Sequence, residues 1–109
     1  MAGQDAVNAL VLVGELVKPP QIRYSPAGVP IARAWLEHRS TQNEGGRGRS
    51  VALRIEVRLT GKGLCQALQG VEPGQALRVD GHLARADQRG EPGRLILVAE
   101  NIELIDRTN

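Results

Sequence analysis

At 109 residues the chain has room for one domain, and with one Tyr, one Trp and no Phe its core must be built from aliphatic side chains. A single cysteine excludes a disulfide framework and a Cys-rich metal site, and the isolated His38 and His82 have no ligand-like spacing to each other or to Cys65. The net charge of +2 conceals an uneven distribution: residues 19–62 carry seven arginines and one lysine against three glutamates, while residues 1–18 sum to −1 and residues 63–109 to −2.

The N-terminus, residues 1–6, lacks a basic region followed by an apolar run and is expected to be a disordered tail rather than a secretion signal. No stretch approaches the apolar length needed to span a membrane, so a cytoplasmic protein is expected. Asn8-Ala-Leu-Val-Leu-Val-Gly-Glu-Leu-Val17 reads as a first strand that is apolar on both faces. A small barrel buries only one face of such a strand. Leu10, Leu12 and Leu16 are therefore expected at a homodimer contact that covers the other face and protects an edge. Gly14 is expected to mark a bulge or bend. Two prolines, Pro19 and Pro20, stop the strand because neither can donate to a ladder. Residues 22–24 are a short extended piece, and Ser25-Pro-Ala-Gly28 is a turn.

Two long strands follow, over residues 28–40 and 50–60. Their period of two puts Ala32, Ala34, Leu36 and His38 on one face with Val51, Leu53, Ile55, Val57 and Leu59. The opposite face carries Arg33, Trp35, Glu37 and Arg39 beside Ala52, Arg54, Glu56 and Arg58. Guanidinium groups grip phosphate bidentately and stack on bases, so this face suits a polyanion with flat bases better than a small substrate. Glu37 and Glu56 read as the salt-bridge partners of its arginines. Twelve of the fourteen basic residues are arginine. GC-rich codon usage would explain that ratio but not the clustering. Between the strands, residues 41–49 contain three glycines, Arg47 and Arg49 with no apolar anchor, and are expected to form a flexible, exposed flap. The glycines are not followed by Lys-Ser/Thr and a helix, so they do not make a P-loop.

Gly61-Lys-Gly63 breaks the strand pattern, and Leu64-Cys-Gln-Ala-Leu68 has the spacing of one amphipathic helical turn with Cys65 as a small buried residue. Residues 75–85 alternate again, with Leu77, Val79, Gly81 and Leu83 inward. Residues 86–94, carrying Arg89 and Arg94, are a second flexible loop at a hairpin tip, and residues 94–105 close the sheet. Five strands with one short helical insertion between the third and fourth predict an all-β chain, a five-stranded Greek-key barrel of the OB-fold type, with an open sandwich or another small barrel as the alternative. A single domain spans residues 1–109. No set of residues suggests an enzyme, a catalytic group, a cofactor or a metal site.

Three segments carry a resemblance: Ser25-Pro-Ala-Gly-Val-Pro30, Leu36-Glu-His-Arg-Ser40 and Ala99-Glu-Asn-Ile-Glu-Leu-Ile-Asp106. They resemble the primosomal replication protein N family, PriB, from Asn8 to Asp106, whereas Gly74-x-x-Leu-x-Val-x-Gly81 is shared with single-stranded-DNA-binding proteins at large. The resemblance implies a homodimeric OB-fold that binds single-stranded DNA. It also implies an accessory role beside the primosomal helicase that restarts stalled replication forks, with handover to a further primosome protein. Arg23, Arg39, Arg89 and Arg94 match basic positions of the family's binding surface. Arg47 stands where the family can place an aromatic, Ala52 where it can place a stacking tryptophan, and Asp87 where it can place a lysine. Two stacking platforms are thus missing and one charge is reversed. That shifts the expected binding toward charge, with Trp35 as a replacement platform or a packed side chain.

Three readings compete. The favoured one is a primosome accessory that binds single-stranded DNA through Arg23, Arg33, Trp35, Arg39, Arg47, Arg49, Arg54, Arg89 and Arg94. A general single-stranded-DNA-binding protein of the fork would be expected to carry a long tail with an acidic tip, for which Asp106-Arg-Thr-Asn109 is too short. A pure protein-interaction module would use the arginine face to dock an acidic partner.

Overall fold

The alternation of the two long strands is realised as one antiparallel ribbon, β3 (Pro30–Glu44) with β4 (Arg47–Thr60), around which the other elements wrap. The computed structural model describes residues 6–86 and 93–106. Before the ribbon come β1 (Leu10–Leu16) and the short β2 (Gln21–Tyr24). After it come helix α1 (Lys62–Ala67), β5 (Ala76–Arg85) and β6 (Leu95–Ile105). β1 pairs with β5, β5 with β6, β6 in parallel with β4, β4 with β3, and β3 with β1 again. Five strands therefore close a ring, as the pattern predicts, and the piece around Ile22 becomes a sixth strand pairing with the start of β3 outside the ring. α1 lies between β4 and β5, the third and fourth strands of the ring, and packs on β3, β4 and β6.

The core is aliphatic. Leu16, Ala32, Ala34, Leu36, Val57, Leu59, Leu77, Val79 and Leu97 are almost fully withdrawn from water, and Cys65 and Leu68 join them from α1 and its C-terminal cap. The Cys65 thiol donates to the Leu59 carbonyl at 3.5 Å, so its one polar group is satisfied in the core. Asn8 secures the start of the β1–β5 ladder: its side-chain amide donates to the Leu83 carbonyl and its oxygen accepts the Leu83 N–H.

Four expectations are corrected. Leu10, Leu12 and Leu16, expected on the outer face of the barrel, turn toward the core instead. Leu16 is 2% exposed in the core, and Leu10 and Leu12 pack against it, so the outward side chains of β1 are Val11, Val13 and Glu15. Glu15, on the face of Val11 and Val13, is the one charged side chain of the strand and marks that face as the outer one. Gly14 is not a bulge, because its register with Leu77 is continuous. It is a close approach, where a Cβ would lie 2.8 Å from the Glu37 carbonyl oxygen as β1 crosses β3. The irregularity falls instead between Asp80 and Gly81 of β5. Residues 41–49 are not a loop: the strands continue to Glu44 and from Arg47, and only Gly45 and Gly46 turn, at φ 60° and 85°. Two successive left-handed residues match the twist of a tight hairpin, and the ribbon is polar because no core lies beneath it. For the same reason Leu53, expected inside, is 40% exposed, since the ribbon has left the barrel by that point. The expected N-terminal tail falls largely on residues 1–5, and most of the tip at 86–94 on residues 87–92, both outside the described residues.

A Cβ at Gly81 would overlap the Val98 carbonyl oxygen across the β5–β6 ladder, where both partners are backbone. Gly81→Ala should lower unfolding free energy in urea by about 3 kcal/mol or more. Gly63→Ala, in α1 with nothing within 4 Å, should be neutral or mildly stabilising.

Candidate nucleic-acid interface

The register of the ribbon sets its outer side chains in facing pairs: Arg33 with Arg58, Trp35 with Glu56, Glu37 with Arg54, and Arg39 with Ala52. Two arginines directly opposite repel. The carboxylate one step along the ladder relieves this. Arg33 Nε donates to Glu56 Oε2 at 2.9 Å, and Arg33 Nη2 donates to Oε1 at 3.3 Å. From the residue before β6, Arg94 Nη2 reaches the same Oε1 at 3.1 Å. Glu56 is only 6% exposed. Burying a lone carboxylate costs several kcal/mol, so its position depends on the two guanidinium groups. In return the hydrogen bond from Arg33 to Glu56, and then the attraction between their charges, raise the Arg33 pKa above its ordinary value.

These residues enclose a groove of about 140 Å³, lined by Arg23, Arg33, Arg58 and Arg94 around Glu56, with Ala86 and Ile96 beside them. No described carboxylate makes an ion pair with Arg23 or Arg58. A second cluster lies further along the ribbon, where Glu37 holds Arg39 at 2.8 Å and Arg54 at 3.6 Å. These pairs are exposed and contribute little to stability. They orient two guanidinium groups on the surface. Arg47 and Arg49 sit on the far end of the ribbon, exposed, with Arg49 3.8 Å from Glu44.

Trp35 lies between these clusters, half-buried, with Lys18 Nζ 4.4 Å and the Arg33 guanidinium 4.9 Å from its ring centroid. Such cation–π contacts hold the indole against the face and make it part of the arginine network. Of the expected binding residues, Arg23, Arg33 and Arg94 come together in one groove with Trp35 adjoining. Arg39 and Arg54 form the second cluster, Arg47 and Arg49 line the arm, and Arg89, like Asp87, lies outside the described residues. Arg58 and Lys18 were not among the expected binding residues. Alternation places Arg58 on the face, whereas the contact of Lys18 with Trp35 crosses between β1's end and β3 and leaves no local pattern. Among the described residues no group of three His, Cys, Asp or Glu side chains is placed to hold a metal ion.

Residues 8–101 match a family described as another single-strand binding protein family. Replication restart protein PriB of Erwinia tasmaniensis is 38% identical over 91% of this chain and 94% of its own length. That of Photorhabdus laumondii is 39% identical over 91% of this chain and 94% of its own. The chain belongs to the PriB family. The solved PriB of Ralstonia solanacearum superposes with a TM-score of 0.78 at 32% identity, over 92% of this chain and 100% of that one. A single-stranded-DNA-binding protein of Thermus aquaticus gives 0.75 at 28% identity over 93% of this chain and 51% of that one. The barrel is accordingly the OB-fold of single-stranded-DNA-binding proteins. As a PriB-family surface, the outer face is weighted toward guanidinium over aromatic groups: Ala52, exposed opposite Arg39, offers no ring to stack upon.

Lys18 covers the Trp35 ring from outside the ribbon. Lys18→Ala should shift Trp35 fluorescence to longer wavelength as water reaches the indole, with the melting temperature little changed.

Proposed function

We propose that the chain is a replication-restart accessory that binds single-stranded DNA without sequence preference in the cytoplasm, and that it works by binding rather than by catalysis. The observation that carries this reading is the outer face of the β3–β4 ribbon, where arginines from β2, β3, β4 and the start of β6 are gathered around two glutamates beside Trp35. The names of the curated relatives support the setting, and a primosomal restart helicase and a further primosome protein are the partners it proposes. An acidic protein docked on the same face is the competing reading, and nucleic-acid binding itself separates the two.

Phosphate contacts, more than base stacking, hold the strand. Each phosphate neutralised on a single strand contributes about −0.7 to the slope of log affinity against log salt. With Arg23, Arg39, Arg54 and Arg94 each engaging one, oligothymidylate binding should show a slope of about −3. Arg39→Ala or Arg54→Ala should weaken binding and flatten the slope. Trp35→Ala should weaken it with the slope unchanged, because a stacking contact releases few counterions. Arginine variants that bind like the parent, beside a Trp35 variant that does not bind at any salt concentration, would make Trp35 the main platform instead.

The proposed assembly is a homodimer built on β1. From Leu10 to Gly14 this strand is paired with β5 on one edge only, since β3 joins it at Glu15 and Leu16. Val11, 52% exposed, and Val13 form the outward apolar face. A second copy laid against that edge and face would cover both. Sedimentation at micromolar concentration should give twice the 11.7 kDa chain mass, and Val11→Lys should return the monomer.

A further inference from the structure

We infer that Glu56 is a positioning residue: it holds Arg33 and Arg94 as fixed walls of a pocket that takes one backbone phosphate of the bound strand. This rests on the single-stranded-DNA reading and adds to it a discrete phosphate site with an acidic residue at its base. The two arginines come from different hairpins, one from β3 and one from the residue before β6, and the carboxylate is the group that joins them. Glu37 performs a similar pairing in the open, at 30% exposure, where water competes for every contact. Glu56, at 6%, is withdrawn from water; its two oxygens set the plane of the Arg33 guanidinium, and Oε1 also anchors that of Arg94.

The donor inventory leaves these groups free to act. A guanidinium has five N–H donors. Arg33 commits Nε and one Nη2 hydrogen to Glu56, whereas Arg94 meets it as an ion pair at 3.1 Å. The rest, with those of Arg23 and Arg58, remain for the oxygens of a ligand in the groove. Four guanidinium groups against one carboxylate leave the site strongly cationic. Its volume of about 140 Å³ accommodates a phosphate group, each water-sized unit occupying about 30 Å³. Long side chains lose rotamer freedom when they grip a ligand. Glu56 imposes that ordering before the strand arrives.

The sign of one substitution separates positioning from charge. By Coulomb attraction alone, removing an acid from an arginine face tightens binding of a polyanion. Positioning requires the opposite. In the full chain, Glu56→Gln should weaken oligothymidylate binding about fivefold or more at fixed salt, and should cause a smaller further loss in an Arg94→Ala background, where only Arg33 is left for it to position. Arg94→Lys keeps the charge but not the planar fork. It alters only a surface side chain, and should weaken binding several-fold with the salt slope unchanged, which keeps the test available should Glu56→Gln fail to fold. Inorganic phosphate, titrated against chloride at constant ionic strength, should move the Nε–Hε resonances of Arg33 and Arg94 in the parent and not in folded Glu56→Gln. Parental or tighter DNA affinity in Glu56→Gln, or in Arg94→Lys, would overturn the positioning role. Absence of any phosphate-induced shift in the parent would overturn the pocket. A parent that responds to phosphate yet binds no oligothymidylate would overturn the DNA reading and leave the pocket standing.

Discussion

The pairing of β3 with β4 runs unbroken from Ile31 with Thr60 to Glu44 with Arg47, and every other feature of the molecule is arranged about its two faces. Because side chains alternate with a period of two, the same residues that send Ala32, Ala34, Leu36, Val57 and Leu59 into the core send Arg33, Trp35, Glu37, Arg54 and Arg58 outward. A slip of one residue in either strand would bury guanidinium groups and expose leucines, so the hydrophobic core itself maintains the register of the binding face. Specificity of fold and placement of the arginines are therefore one constraint.

An arginine-rich face is a liability to a small barrel, since like charges repel across adjacent strands. Two glutamates resolve this differently. Glu37 remains near the surface and shares itself between Arg39 and Arg54. Glu56 is enclosed, and among the described residues no buried side-chain nitrogen or oxygen lacks a partner. The buried carboxylate ties the ribbon to the start of β6, so the electrostatics of the face also brace the barrel wall. The face keeps a positive excess because each carboxylate serves two arginines.

Closure of the ring is its least extensive contact. β1 meets β3 at two residue pairs, supplemented by the Val17 N–H to Trp35 carbonyl bond at 2.9 Å. Where the strands then diverge, His38 bridges them, its Nδ1 donating to the Val13 carbonyl at 2.7 Å while Nε2 meets the Ser40 hydroxyl at the same distance. An inward-alternating histidine thus becomes a polar brace at the seam, which accounts for a residue whose position on the core face had no evident partner in the sequence.

Alternation, turn residues and charge distribution were enough, from the sequence alone, to determine a small all-β barrel, one short helix, and an outer face of arginines with Trp35 and two acidic partners. These are local properties: a strand's period, a proline's missing donor and a cluster's net charge do not depend on distant neighbours. Tertiary structure shows how the faces of β1 are used: Leu10, Leu12 and Leu16 turn inward, and Val11 and Val13 lie outward beside Glu15. It also decided that residues 41–44 and 47–49 are strand, since a ribbon beyond the barrel has no buried face to print a pattern on its sequence. Above all it decided that Glu56 is buried between Arg33 and Arg94. The residues lie 23 and 38 positions from it along the chain, and only barrel closure brings three such charges within hydrogen-bonding distance, where their mutual compensation makes burial possible.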